Sequence, residues 1–325
     1  MKTFYTAICA AFLLLACNNN SNSGTSEYRP QSVGGINELH VVIDNDLWGG
    51  PVGETIREYF AAATDGLPQQ EPLFSMSQMN PSAHTGFARK GRNFLHLSIS
   101  DKDTVSIKKN SYAKPQTGAF IQGTTEEGLI QQIKENQKRI ISVFKDTEIK
   151  ENQRRIRMST KKIDSLKERF GISLKISSVY RTAMASDEFY WLRKDLKSGS
   201  TNVIIYEVPL NTISQDSTIG DIIAMRDAVG GRLLPVEDDG RFITEKAYAP
   251  YLFTTELDGK FAYETKGTWE VEDQYMAGPF LNYAIKDEKN NRYLVIEGFT
   301  YAPSVAKRNL QFELEAVLKS VKFVD

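Results

Sequence analysis

The stretch Ala249 to Val271, APYLFTTELDGKFAYETKGTWEV, decides the fold class. Two runs rich in aromatic and β-branched residues, 249–256 and 260–271, flank Asp258-Gly259, a residue pair typical of a tight hairpin turn. A second pair of predicted strands, 280–286 and 292–300, is separated by the turn residues 288–291. Adjacent hairpins pair their strands antiparallel, so this region predicts an antiparallel sheet and not a doubly wound parallel one.

Apolar runs and helical periodicity extend this pattern in both directions. Further strands are predicted at 39–44, 92–100, 104–109, 117–123, 172–181, 188–193 and 202–208. Shorter helices are predicted at 53–63, 218–229 and 305–318. The chain is therefore expected to be an α+β protein with largely antiparallel sheets and covering helices, arranged as an N-terminal region (35–124), a long charged helical segment (125–170) and a C-terminal region (171–325).

The long segment contains no proline, and Gly171 is its natural C-terminal stop. Residues 133–140 recur almost unchanged at 149–156, and in one helix the copies would lie roughly 160° apart around the axis. Two arrangements fit this pattern: a continuous helix that contacts different parts of the protein at its two ends, or a hairpin near Asp146-Thr147. The continuous helix is favoured because residues 145–148 include neither Gly nor Pro.

The N-terminus has the pattern of an export signal. Lys2 precedes an apolar run from Phe4 to Ala16, which is too short to span a bilayer as a helix. The ending Leu14-Leu15-Ala16-Cys17 resembles a lipobox, so residues 1–16 are predicted to be a signal peptide and Cys17 the lipidated residue. A polar, flexible tether is predicted for 17–34.

Composition and charge limit the partners that can be expected. Because Cys9 and Cys17 are the only cysteines, the mature chain has no disulfide. Removal of Lys2 with the signal peptide takes the formal charge from −1 to about −2. Neither this charge nor the predicted location outside the cytoplasm suits nucleic acid as a partner. The first acidic residue after Cys17 is Glu27. The chain is therefore expected to be anchored in the outer membrane through its lipid and to face the periplasm, with surface exposure as the alternative.

No sequence motif indicates catalysis, a metal or a cofactor. His40, His84 and His96 are isolated from one another in sequence, and HExxH, CxxC and GxSxG motifs do not occur. Carboxylate pairs that the fold would assemble leave no spacing rule, so catalysis by Asp and Glu stays open. We expect neither a metal nor a cofactor.

Aromatic residues beside polar or glycine-rich stretches are the candidate binding residues. Phe189, Trp191 and Arg193 occupy every second position of a predicted strand, so their side chains share one face. Aromatic and Arg side chains together are common at binding surfaces, although tryptophans also fill cores. The candidate binding face consists of Trp48, Phe189, Trp191, Arg193 and Trp269.

Five segments resemble an uncharacterised family of Bacteroidota envelope lipoproteins known only as a domain of unknown function. They are Leu67 to Phe74, Phe189 to Arg193, Gly267 to Glu270, Met276 to Phe280 and Glu297 to Pro303. The resemblance covers nearly all of the mature chain. It implies a lipid-anchored envelope protein and supplies no catalytic residue.

Three hypotheses for function follow. The first is a non-catalytic binding or scaffolding module whose partner is an envelope protein or glycan. The second is a glycan or peptidoglycan hydrolase, which needs a pocket with two carboxylates about 5–10 Å apart. The third is a transporter-associated small-molecule binder, which needs an enclosed pocket between two lobes. A binder of larger partners should instead show an apolar patch or groove.

Overall fold

The computed structural model describes residues 28–236 and 240–324. The predicted signal peptide and Cys17 lie outside these residues. The fold is α+β, as predicted: two sheets of different topology are connected by one long helix. Within the described residues, no helix is both long and apolar enough to cross a membrane.

The N-terminal sheet has five strands in the order β2-β1-β3-β5-β4. β1, β2, β3 and β5 run parallel, and β4 is antiparallel to β5. This parallel arrangement differs from the antiparallel pairing expected from the hairpins further along the chain. The strands are β1 (Glu38–Val42), β2 (Ser75–Met79), β3 (Asn93–Ile99), β4 (Thr104–Lys109) and β5 (Thr117–Gly123). Helices α1 (Asn45–Gly49) and α2 (Pro51–Phe60) connect β1 to β2.

Helix α3 (Glu126–Arg157) is continuous through Asp146 and Thr147, so the hairpin alternative is wrong. Thr125 caps its start by accepting a hydrogen bond from the Gly128 backbone N–H. The helix ends earlier than the predicted segment, and a separate helix, α4 (Asp164–Phe170), ends at Gly171, which is left-handed with φ of 67°.

The two ends of α3 pack against different parts of the protein, as the offset repeat requires. Leu129, Ile133, Ile140 and Phe144 lie in the core of the N-terminal sheet. Towards its C-terminal end, Ile149 packs with Phe312 and Ala316, and Ile156 enters the core of the C-terminal sheet. We call the structure before α3 the N-terminal part and the structure after α3 the C-terminal part.

The C-terminal sheet has eight strands, and all of its pairings are antiparallel. Its order is β10-β12-β13-β14-β9-β8-β7, with β11 also paired to β12. The strands are β7 (Arg181–Ala185), β8 (Phe189–Leu196), β9 (Gly199–Pro209), β10 (Phe242–Thr244), β11 (Tyr251–Leu257), β12 (Lys260–Val271), β13 (Ala277–Asp287) and β14 (Arg292–Tyr301). A small sheet pairs β6 (Ile172–Ser173) with β15 (Lys322–Phe323).

Helices cover both faces of the C-terminal sheet. Residues of α6 (Arg308–Leu318), including Leu314 and Val317, pack on one face, and residues of α5 (Thr218–Leu233), including Ile222, pack on the other. This double coverage explains why β13 and β14 are buried along nearly their whole length and β9 over residues 200–206.

Candidate functional site

A cavity of about 50 Å³, partly open to solvent, lies between the N-terminal part and the C-terminal part. Its lining therefore comes from elements that are far apart in the sequence. The residues that matter for its chemistry are the loop 64–67, Lys145 of α3, Lys266 of β12, and Arg308, Gln311 and Glu315 of α6.

The loop that follows α2 forms one wall of the cavity. Its ends are joined by backbone hydrogen bonds from Thr64 to Glu71 and from Leu73 to Ala62. The Glu71 carboxylate accepts hydrogen bonds from the backbone N–H groups of Lys307 (2.7 Å) and Arg308 (2.9 Å), where α6 begins. These bonds hold the wall from the N-terminal part against the helix from the C-terminal part.

Lys145 lies next to Phe144, whose ring is in the N-terminal core, and its side chain lines the cavity. Burial lowers the pKa of Lys145, and the nearby ammonium of Lys266 lowers it further. Among the described residues, no hydrogen-bond or ion-pair partner is found for the Lys145 ammonium. The carboxylates of Glu315 and Asp65 attract this ammonium and partly oppose the lowering of its pKa, but neither forms an ion pair with it.

The other lysines of the cluster are paired with carboxylates. Lys266 Nζ lies 2.6 Å from Glu264, and Lys319 Nζ lies 2.6 Å from Glu315. Burial alone would raise the pKa of Glu315, but Lys319, Lys266 and Lys145 outweigh it and lower this pKa to about 2. The same attraction raises the pKa values of Lys266 and Lys319 against the opposite effect of burial. The Glu315 carboxylate is therefore ionised at physiological pH.

Two polar oxygen atoms at the cavity are buried without a hydrogen-bond partner among the described residues: Thr64 Oγ1 and Gln311 Oε1. The orientation of the Gln311 amide is fixed, because Nε2 donates to the Pro279 carbonyl (2.9 Å) and to Thr300 Oγ1 (3.0 Å). An unpaired buried polar group costs about 1–3 kcal/mol. A bound molecule that donates hydrogen bonds to these oxygens would remove that cost.

The predicted binding face is only partly assembled. Trp191, Arg193 and Trp269 line one pocket of about 70 Å³ in the C-terminal part. Within this group Trp269 is 2% exposed, donates to the Thr300 carbonyl (3.2 Å) and stacks on Phe242, so it serves the core.

The other four residues of the predicted binding face lie in different environments. Trp191 and Arg193 are half-buried: the Trp191 indole donates to Asn202, and Arg193 pairs with Asp195. Phe189 shares their strand face, as predicted, but is fully buried. Trp48 lies in α1 of the N-terminal part, with the Arg57 guanidinium 4.7 Å from its ring centroid.

The three histidines, distant in sequence, share one face of the N-terminal sheet, opposite the face covered by α3. The rings of His84 and His96 lie 6.3 Å apart, and His84 is packed between Phe94 and Tyr112. Burial, with smaller contributions from His96 and Arg89, lowers the pKa of His84 to about 4. In residues 28–236 and 240–324, no three His, Cys, Asp or Glu side chains are placed to hold a metal ion.

Sequence reasoning missed Thr64, Lys145 and Gln311 as site residues. In the sequence, Lys145 is one of many charged residues of a charged helical segment. Gln311 lies within the predicted helix 305–318, and residues 65–85, which include three prolines, are predicted to be neither helix nor strand. The one local signal was Gly66, which adopts a left-handed φ of 78° at the cavity wall.

Comparison with known proteins divides the chain at the end of α3. Residues 32–157 match the model of a domain of unknown function, DUF8532, and residues 159–320 match the model of another, DUF4837. The chain is thus an α+β protein whose two parts each match the model of a domain of unknown function. No curated protein matches it.

Two solved structures show a distant partial similarity. The Ran-binding protein Mog1p of Saccharomyces cerevisiae is 9% identical, with a TM-score of 0.32, over 48% of this chain and 91% of that chain. A mutant of protein Mog1 is 9% identical, with a TM-score of 0.30, over 48% of this chain and 92% of that one.

Proposed function

We propose that this protein is a lipid-anchored binding module of the cell envelope that holds a small ligand in the cavity between its two parts. The observation that carries the proposal is the Lys145 ammonium, which lines the cavity without a hydrogen-bond or ion-pair partner among the described residues. A ligand that supplies the missing partner would be bound between the two parts and would stabilise their contact.

The ionisation state of Glu315 favours binding over hydrolysis as the function of the cavity. A carboxylate-dependent glycan or peptidoglycan hydrolase needs one acid with a raised pKa, so that it can donate a proton to the leaving group. Glu315, which lines the cavity, has its pKa lowered to about 2 by surrounding lysines. It is already paired with the Lys319 ammonium and stays ionised, so it does not act as the proton donor.

The anchor belongs to the same proposal. Cys17 would carry the lipid and hold the folded part at the periplasmic face of the outer membrane, where an envelope protein or glycan is available as partner. The last residues of the segment predicted as tether are already paired with the N-terminal part: Ser32 donates to the Lys114 carbonyl and Val33 to the Lys90 carbonyl. The flexible tether would thus end before these residues and join the folded protein at its N-terminal part.

The anchor is tested with Cys17→Ser. The expected result is that this variant is recovered in the periplasmic fraction, whereas the wild type floats with membranes. Flotation of both proteins to the same extent would contradict lipidation at Cys17.

Ligand binding is tested by purifying the full chain from membranes in detergent, denaturing it, and identifying released small molecules by mass spectrometry. We expect one compound to be enriched with the wild type and depleted with Lys145→Met. Lys138→Met is the matched control, because Lys138 is an exposed lysine of the same helix. Equal recovery from all three proteins, or no enriched compound, would contradict the proposal.

A further inference from the structure

We infer that the ligand is a small carboxylic acid that also carries a hydrogen-bond donor, as glycine and other short amino or hydroxy acids do. The inference rests on the proposed function and specifies its ligand. Size sets the first limit: a cavity of about 50 Å³ accommodates on the order of four water molecules. Pockets for drug-sized ligands are about 300–1,000 Å³.

The carboxylate of the ligand is inferred from which cationic side chains of the cavity already have partners. The Lys266 and Lys319 ammonium groups each have a carboxylate at 2.6 Å. The Arg308 guanidinium donates to Asn309, to the Pro72 carbonyl and to Ser75. Lys145 is attracted by Glu315 and Asp65 but forms an ion pair with neither of them, so a ligand carboxylate could make a charge-assisted hydrogen bond with it.

The hydrogen-bond donor is inferred from two buried oxygen atoms that belong to residues lining the cavity. Gln311 Oε1 can only accept hydrogen bonds, and a flip of its amide would lose the bond from Nε2 to the Pro279 carbonyl and place two acceptor oxygens against each other. Thr64 Oγ1 is buried and also lacks a partner among the described residues. A simple aliphatic acid would neutralise Lys145 but would leave Gln311 Oε1 without a donor.

The negative charge of Asp65 should act differently on a ligand with an ammonium donor and on a ligand with a hydroxyl donor. It is an exposed residue of the cavity lining, and its carboxylate acts on both Lys145 and Lys266. A ligand ammonium would be attracted to Asp65, whereas the single negative charge of a hydroxy acid would be repelled by it.

The test is calorimetric titration of the full chain in detergent with four probes of similar size: glycine, glycolate, acetate and glycolamide. Glycine or glycolate should bind at least tenfold more tightly than acetate, which lacks the donor, and than glycolamide, which lacks the charge. Lys145→Met should reduce that affinity at least tenfold, and Lys138→Met should leave it unchanged. Asp65→Asn should weaken glycine if the donor is an ammonium and strengthen glycolate if it is a hydroxyl.

Equal binding of acetate would overturn the donor requirement, and equal binding of glycolamide would overturn the carboxylate. In both cases Lys145-dependent enrichment of a compound from membranes would still support the proposed function. If none of the four probes binds while such a compound is found, the ligand class is wrong and the binding function stands. If no probe binds and no compound is enriched, both are wrong.

Discussion

Gly66 in the N-terminal part lies directly against Lys266 in the C-terminal part: a Cβ atom at Gly66 would come within 2.9 Å of the Lys266 Cβ. The backbone of Gly66 is left-handed, with φ of 78°. Both the contact and the conformation require a residue without a side chain. The cavity wall thus depends on a glycine at the place where the two parts touch.

Gly66→Ala should therefore lower the free energy of unfolding and weaken ligand binding. Gly259→Ala is the matched control, because Gly259 has a similar φ of 75° but no atom within 4 Å of an added Cβ. The control should lose about 1–2 kcal/mol from the left-handed conformation alone. Urea denaturation should show a larger loss for Gly66→Ala; equal losses would mean that the contact with Lys266 is not tight.

The buried pair of Arg226 and Glu297 gives a second prediction. Both side chains are 1% exposed, and two nitrogen atoms of Arg226 each lie 2.7 Å from a carboxylate oxygen of Glu297. Arg226→Met leaves a buried carboxylate without its partner and should lower the free energy of unfolding by about 3–5 kcal/mol. Adding Glu297→Gln should recover much of this loss, since no buried charge then remains.

The control for that experiment is an exposed ion pair made by Arg232, another arginine of the same helix. Arg232 and Glu188 lie 3.7 Å apart with side-chain exposures of 64% and 79%. Arg232→Met should cost less than about 1 kcal/mol, because solvent screens such pairs. A similar loss for Arg226→Met and Arg232→Met in urea denaturation would show that burial does not set the strength of the Arg226 pair.

The lowered pKa of His84 predicts acid sensitivity. Burial brings this pKa to about 4, below the usual 6.5, so the folded protein binds a proton at His84 less readily than the unfolded chain. The free energy of unfolding should fall as the pH is lowered from about 6.5 towards 4. His84→Phe, which keeps an aromatic ring beside Phe94, should reduce the fall.

Urea midpoints at pH 7, 5 and 4 would measure this effect. Tyr112→Phe serves as the control, because it changes a ring that contacts His84 without removing a group that titrates in this range. An identical pH dependence for the wild type and His84→Phe would show that His84 does not contribute to acid sensitivity.

Much of the fold could be predicted because local chemistry and tertiary structure agree. Asp258 and Gly259 both have positive φ, as a two-residue hairpin turn requires, and the strands on either side pair as expected. The sixteen-residue offset within α3 correctly indicated a helix that contacts two different cores. These features depend on residues close together in the sequence.

The parallel N-terminal sheet and the cavity could not be predicted in this way. β2, with the sequence Ser75-Met76-Ser77-Gln78-Met79, has no apolar run, and its place beside β1 is set by tertiary pairing. The cavity joins Thr64, Lys145 and Gln311, each unremarkable in its own segment. Only the packing of α6 against α3 and the loop after α2 brings these residues together.

The central claim, that a ligand pairs with Lys145 in the cavity, is tested most directly by the pKa of Lys145 itself. This pKa can be followed by NMR of the full chain with isotope-labelled lysine, using Lys145→Met to assign the signal and exposed Lys138 as internal reference. Burial and Lys266 hold it below the usual value in the free protein, and a bound anion would favour the charged form. Addition of the compounds released from wild-type protein should raise the pKa of Lys145 and leave that of Lys138 unchanged. An unchanged Lys145 pKa would contradict the account.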